Sequence, residues 1–171
     1  MIVFIIAYSI GAATDLNRTE TENLRQQFNE QVKYIDQNGI FMNNLRISSF
    51  MFIPAMGIGI GIFSGFSTGL IFNVIAESSP LLNNISPLVI LITPFGIMEV
   101  FAYGLAMSRS GMLIYKLVKL VRKKQLREHI IPLIIPSTIE IVIVIAVLLI
   151  GATIEWQVVA QFDEQVTDIP I

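Results

Sequence analysis

Between Leu45 and Ala76 the chain runs for 32 residues almost without charge. No other feature limits the possible folds as much. As one helix this stretch would measure about 48 Å, too long for a hydrocarbon core of ~30 Å without strong tilt. The surroundings are equally apolar. The 171 residues are 54% hydrophobic and 14% charged, with a mean hydropathy of +0.71, whereas a soluble domain carries about 25% charged residues. So much apolar surface exceeds what a soluble core can hold. The expected class is therefore an all-α polytopic membrane protein, a single membrane domain with about five transmembrane helices. There is no cysteine, which excludes disulfides, thiolate metal sites and a cysteine nucleophile.

The spans follow from the breaks. "FSGFSTG", Phe63 to Gly69, divides the long stretch into a helix near 45–63 and a shorter one near 66–77, a glycine-rich hairpin over 45–77. Residues 1–14 read as a short first span, since a signal peptide would need a basic start that they lack. "ESSPLLNNISP", 77–87, is a loop of turn formers. A span over 88–107 is expected to kink at Pro94. The last span, 131–153, carries Pro132 and Pro136 in its first turns, and 155–171 is an acidic tail expected to be exposed. The polar segment 15–44 holds a capping box, "TETE", with Thr19 as N-cap. Leu24, Phe28, Val32 and Ile35 then recur at helical spacing until Asn38–Gly39. This amphipathic helix would dock its stripe on the chain's own membrane domain or on another subunit.

Seven of the eleven Lys and Arg lie between Arg109 and Arg127. The positive-inside rule makes that segment cytoplasmic, and with five spans 15–44 and the C-terminal tail become extracytoplasmic. The sequon "NRT" at Asn17 then faces the glycosylation side. Within 109–128, Lys116, Lys119, Lys123 and Arg127 share one face, which suits either an interfacial helix on anionic headgroups or a snorkelling extension of the preceding span. The cations adjoin a span and lack interleaved stacking residues, so a nucleic-acid partner is not expected. The lipid bilayer is, and so are other membrane subunits or a homo-oligomer.

Two patterns inside the spans invite a role. Gly57, Gly61, Gly65 and Gly69 form three overlapping G-x-x-x-G motifs, which let another helix approach closely; the partner is a neighbouring span or another chain. Glu99 lies in "TPFGIMEVFAYG", and helical spacing puts Gly96, Glu99, Tyr103, Ala106 and Ser110 on one face. An intramembrane carboxylate is by default a functional hypothesis. Glu140 in the last span lies at about the same depth counted from the cytoplasmic ends, so the pair could share a proton or a polar partner. Two carboxylates without His or Cys are a poor metal set, and neither a metal nor any other cofactor is expected. His129 reads as an interface residue.

"FMNNLRISSFMFIPAMGIGIGIFSGFSTG" followed by "PFGIMEVFAYGLAMSRSG" resembles the stage II sporulation protein M family of integral membrane proteins. The shared elements are the pair Asn43 and Asn44, the glycines Gly57 and Gly61, and a P-x-G-x-x-E pattern at Pro94, Gly96 and Glu99, over roughly Phe41 to Gly111. The closest likeness is to short archaeal members. Many members carry His where this chain has Phe95, and an Asn-Gly of the third span is Thr68–Gly69 here. Members act with a cell-wall hydrolase at a membrane, but the resemblance implies fold more than function.

The expected function is a non-catalytic membrane scaffold or accessory subunit of a larger complex, a membrane ammonia monooxygenase-type complex being one specific candidate. The alternative is a small proton-coupled transporter or channel-like module using Glu99 and Glu140. An enzyme is not expected, because no arrangement of nucleophile, base and orienting group is visible.

Overall fold

Asn17 opens the first polar helix. Its side chain accepts from the Glu20 backbone N–H at 3.0 Å while the Glu20 carboxylate accepts from the Asn17 N–H at 3.1 Å, a complete capping box. In the computed structural model, which describes residues 1–78, 85–122 and 131–167, the last seven by backbone alone, every regular element is helical. The helices are α1 (Ile2–Ala12), α2 (Arg18–Val32), α3 (Gln37–Met51), α4 (Gly57–Ser78), α5 (Pro94–Arg122) and α6 (Ile131–Thr167), with a 3-10 segment at Pro87–Ile92.

Several boundaries depart from the sequence reading. The cap of α2 is Asn17, not Thr19. Asn38–Gly39 does not end a helix but lies in the first turn of α3, where Asp36 accepts from the Gly39 N–H at 2.8 Å. The polar segment 15–44 is thus two helices. The hairpin corner falls at Phe52–Met56, not at Phe63–Gly69, and α4 is unbroken. Pro54 has no N–H to donate, and Ala55 takes φ 69°, a left-handed conformation that stops a helix. Pro94 does not kink a span. It occupies the first position of α5, where a missing N–H costs nothing, and Thr93 caps the helix by accepting from the Gly96 N–H at 3.1 Å. Past Met107, α5 simply continues to Arg122, so the described part of 109–128 extends that helix. The tail expected over 155–171 starts inside a helix: α6 runs on to Thr167, with Glu155 and Trp156 partly buried and 157–159 exposed, while 168–171 lie outside the described residues.

Five helices form the bundle, and α2 stands apart with no buried residue, touching α4 alone. Neighbour pairs fix the directions. Phe4 lies beside Gly65, Tyr8 beside Gly69, and Asn73 donates to the Thr14 carbonyl at 3.2 Å, so α1 and α4 are parallel. Gly57 meets Ser110 and Gly61 meets Met107, so α5 runs opposite to α4. Arg109 pairs with Glu140 while Met98 meets Gly151, so α6 runs opposite to α5. Asn44 reaches Tyr103 and Ser110 reaches Ile53, so α3 follows α5. The core joins Phe4, Tyr8, Met51, Tyr103, Ala106, Met107, Val144 and Leu148.

Among the described residues two helices are long and apolar enough to cross a membrane, Gly57–Glu77 and Ile131–Ala160. Most of their apolar side chains face away from the bundle rather than into its core. Ile139, Val142 and Ile150 are all more than half exposed. Of the five spans expected, α1 spans just eleven residues, about 16 Å.

Candidate functional site

Asn44 is the residue around which the buried polar groups collect. It is 8% exposed on the inner face of α3, where a bare amide would leave donors and acceptors unpaired at a cost of several kcal/mol. Both ends are satisfied by α5. The Tyr103 hydroxyl donates to Asn44 Oδ1 at 2.9 Å, and Asn44 Nδ2 donates to Glu99 Oε1. Glu99 and Tyr103 are four apart and present both groups from adjacent turns of one face. The Phe4 ring of α1 closes over Tyr103 at a centroid distance of 5.4 Å. On the far side, the Gln37 amide donates to Thr153 Oγ1 at 2.8 Å, which ties α3 to α6 two residues before Glu155.

Glu99 and Glu140 are not brought together. Glu140 is clamped by Arg109, whose Nε donates to Oε2 at 2.6 Å while Nη2 pairs with Oε1. The side chains are 7% and 18% exposed. Equal depth for the two acids follows only if the helices end where the sequence suggests, and α5 runs about four turns beyond that end. Arg109 is ten residues along α5 from Glu99, so the ion pair lies about 15 Å from it. The acid whose charge reaches Glu99 is Glu155, which the sequence reading assigns to an exposed tail. Its Oε2 is buried without a hydrogen-bond partner among the described residues.

The glycines line one contact surface of α4. A Cβ at Gly69 would strike the Tyr8 carbonyl oxygen and lie 2.9 Å from the Ala12 nitrogen, and one at Gly65 would lie 2.8 Å from the Phe4 carbonyl oxygen. Gly11 answers from α1, where a Cβ would strike the Phe66 carbonyl. Gly57 and Gly61 face Ser110 and Met107 of α5 instead. Ser110 is fully buried; it accepts from the Gly57 N–H at 3.2 Å and donates to the Ile53 carbonyl at 2.6 Å, which secures the hairpin corner. Gly96 is buried against the Ile90 carbonyl at the start of α5, beside Pro94. Lys116 and Lys119 lie on the last turns of α5 and both are exposed, while Lys123, Arg127 and His129 lie outside the described residues.

These contacts span the three elements of the resemblance: the Asn pair, the glycines and P-x-G-x-x-E. A family model described as Stage II sporulation protein M matches residues 1–156. The chain belongs to that family. The match extends well beyond Phe41–Gly111, taking in α1, α2 and nearly all the apolar part of α6. No curated protein and no solved structure matches the chain. Within this stage II sporulation protein M chain, Asn44 now has a physical role: it joins α3 to the Glu99 of P-x-G-x-x-E. Phe95, where many members carry His, is partly buried, and Thr68 bonds back to the Ser64 carbonyl of its own helix at 2.8 Å.

Three members of the site escape the sequence reading. Arg109 groups there with the surface cations, yet six uncharged residues separate it from Lys116, which sets it apart from them. Asn44 enters only through the family resemblance. For Glu155 the signal is weaker: its neighbours Thr153, Ile154 and Trp156 continue the apolar run. Chemically, Arg109–Glu140 is neutral as a unit and committed, whereas Glu155 keeps an oxygen free to take a proton or accept a donor. Among the described residues no group of three or more His, Asp or Glu could hold a metal ion.

Proposed function

We propose that this chain is a non-catalytic integral membrane protein whose five bundle helices run alternately through the bilayer, and that it serves as a scaffold or accessory subunit of a larger membrane assembly. One observation carries the reading. Most polar groups inside the bundle are spent on one another, Asn44 on Glu99 and Tyr103, Arg109 on Glu140 and Ser110 on the hairpin corner, while the outward faces of α4 and α6 are largely apolar and α2 touches α4 alone. The alternating helix directions support the topology. With Lys116, Lys119 and Arg122 cytoplasmic by the positive-inside rule, on anionic headgroups, α2 and the far end of α6 are extracytoplasmic. In this reading no residue acts as a catalyst.

The test is purification from native membrane in mild detergent. Stoichiometric, co-migrating integral partners are the expected result, and a lone homo-oligomer would count against the scaffold. Mass spectrometry of those partners also reads out the specific candidate, an ammonia monooxygenase-type complex.

A second reading, proton handling, is favoured by the unpartnered Glu155 Oε2 near Glu99. It replaces the Glu99–Glu140 pair with Glu99–Glu155. Glu155→Gln and Glu99→Gln should each abolish a proton flux measured in vesicles. Undiminished flux in both variants removes this reading.

A further inference from the structure

The outward face of α3 is polar at the height where the bundle is most apolar. On the inner side Ile40, Asn44, Ser48 and Met51 are buried. On the outer side Asn43, Arg46 and Ser49 are exposed, flanked by Met42 and Phe50 at 58% and 49%. Helical spacing centres Arg46 in that strip, with Met42 and Asn43 one turn before it and Ser49 and Phe50 one turn after.

Its height follows from its neighbours. Leu45, Ser48, Ser49 and Phe52 share a small cavity of about 100 Å³ with Ile141, Val144 and Ile145 of α6, so Arg46 lies near the level of Val144. That residue is thirteen from one end of the apolar run Ile131–Ala160 and sixteen from the other, close to its middle. Among the described residues Arg46 has no carboxylate partner, since Arg109–Glu140 is the single ion pair there. An arginine at that height in acyl chains is costly, and such residues pair with an acid or face a polar cavity.

We propose that this α3 face is an interface for a different membrane subunit, one that presents an intramembrane Asp or Glu to Arg46 and a small-residue or amide surface to Asn43 and Ser49. A second copy of this chain does not supply that acid from its described residues. Glu99 and Glu140 are engaged and Glu155 is turned inward, while Asp15, Glu20, Glu22, Glu30 and Asp36 belong to the polar segment around α2, Glu77 to the far end of α4, and Asp163 and Glu164 to the part of α6 beyond its apolar run. The proposal rests on the scaffold reading and names the chemistry of the partner.

The experiment uses the full chain in its native membrane. A photo-reactive residue replaces Met42 or Phe50, and in a separate sample Val142, which is 60% exposed on α6. Crosslinks from Met42 and Phe50 should map to a transmembrane segment of another protein that contains Asp or Glu, with none to that segment from Val142. Arg46→Leu should cut this crosslink and the partner's co-purification at least ten-fold, with the thermal transition of the purified chain unchanged. Lys33→Leu, a charge removal on the polar side, should leave both intact. A charge swap, Arg46→Glu with the partner's acid changed to Arg, should restore binding.

The outcomes separate the two ideas. If wild-type chain retains its partners and Arg46→Leu retains them equally, the interface is wrong and the scaffold stands. If crosslinks at Met42 and Phe50 reach only lipid, or a second copy of this chain, Arg46 snorkels or self-associates and the proposal fails. If wild-type chain has no partner, both fail.

Discussion

At the scale of single residues, the ion pair and the Asn44 bonds make different demands. Removing one partner of a buried ion pair leaves an uncompensated charge, costing about 3–5 kcal/mol, whereas replacing both with apolar residues is often near neutral. Arg109→Met should therefore lower the melting temperature in detergent sharply, and Arg109→Met/Glu140→Met should recover most of the loss. Additive losses in the pair would sink the account. Glu99→Gln keeps an acceptor for Asn44 Nδ2 and should cost about 1 kcal/mol or less, while Glu99→Leu strands that donor and should cost about 1–3 kcal/mol, measured the same way. Glu99, Tyr103 and the small face around them were legible from helical spacing alone, because spacing within one helix needs no knowledge of its neighbours. The partners were not. Asn44 and Glu155 are 55 residues before and 56 after Glu99, and which helix stands beside α5 is a tertiary fact.

At the scale of the elements, the glycines of α4 divide by what surrounds them. Gly69 has backbone of α1 against it, which cannot move aside, while a Cβ added at Gly59 would meet nothing within 4 Å. Gly69→Val should destabilise by about 1–3 kcal/mol or more through overpacking. Gly59→Ala should stabilise by about 0.5–1 kcal/mol, the ordinary gain of Ala over Gly in a helix. Thermal unfolding in detergent checks both, and equal effects at the two sites would show that the ladder does not pack on α1. The apolar runs and turn formers mark where most helices lie, yet they misplace the corner between α3 and α4. A run of Gly and Ser reads as a break when each glycine is charged its usual cost in a helix. Here α1 lies in the groove those glycines leave. Pro54 and Ala55, by contrast, break the backbone wherever they stand.

At the scale of the whole molecule, the alternation of α1, α3, α4, α5 and α6 gives a labelling pattern. The chain has no cysteine, so single cysteines report cleanly. Lys33→Cys should react with a membrane-impermeant maleimide on intact cells or spheroplasts, and Lys116→Cys only after permeabilisation; the reverse pattern would invert the topology. The packing of α1 has a further consequence for how the molecule is made. This helix touches α4, α5 and the 3-10 segment, and neither α2 nor α3. Its eleven residues leave the ribosome before those of the other helices, but the groove that receives them is completed only when Gly69 has been added, 57 residues after Ala12. At about 5–20 residues per second, that is a delay of roughly 3–11 seconds. For that time α1 is a short apolar helix without its seat, so the step most exposed to error in biosynthesis is the return of the first helix to a site built after it.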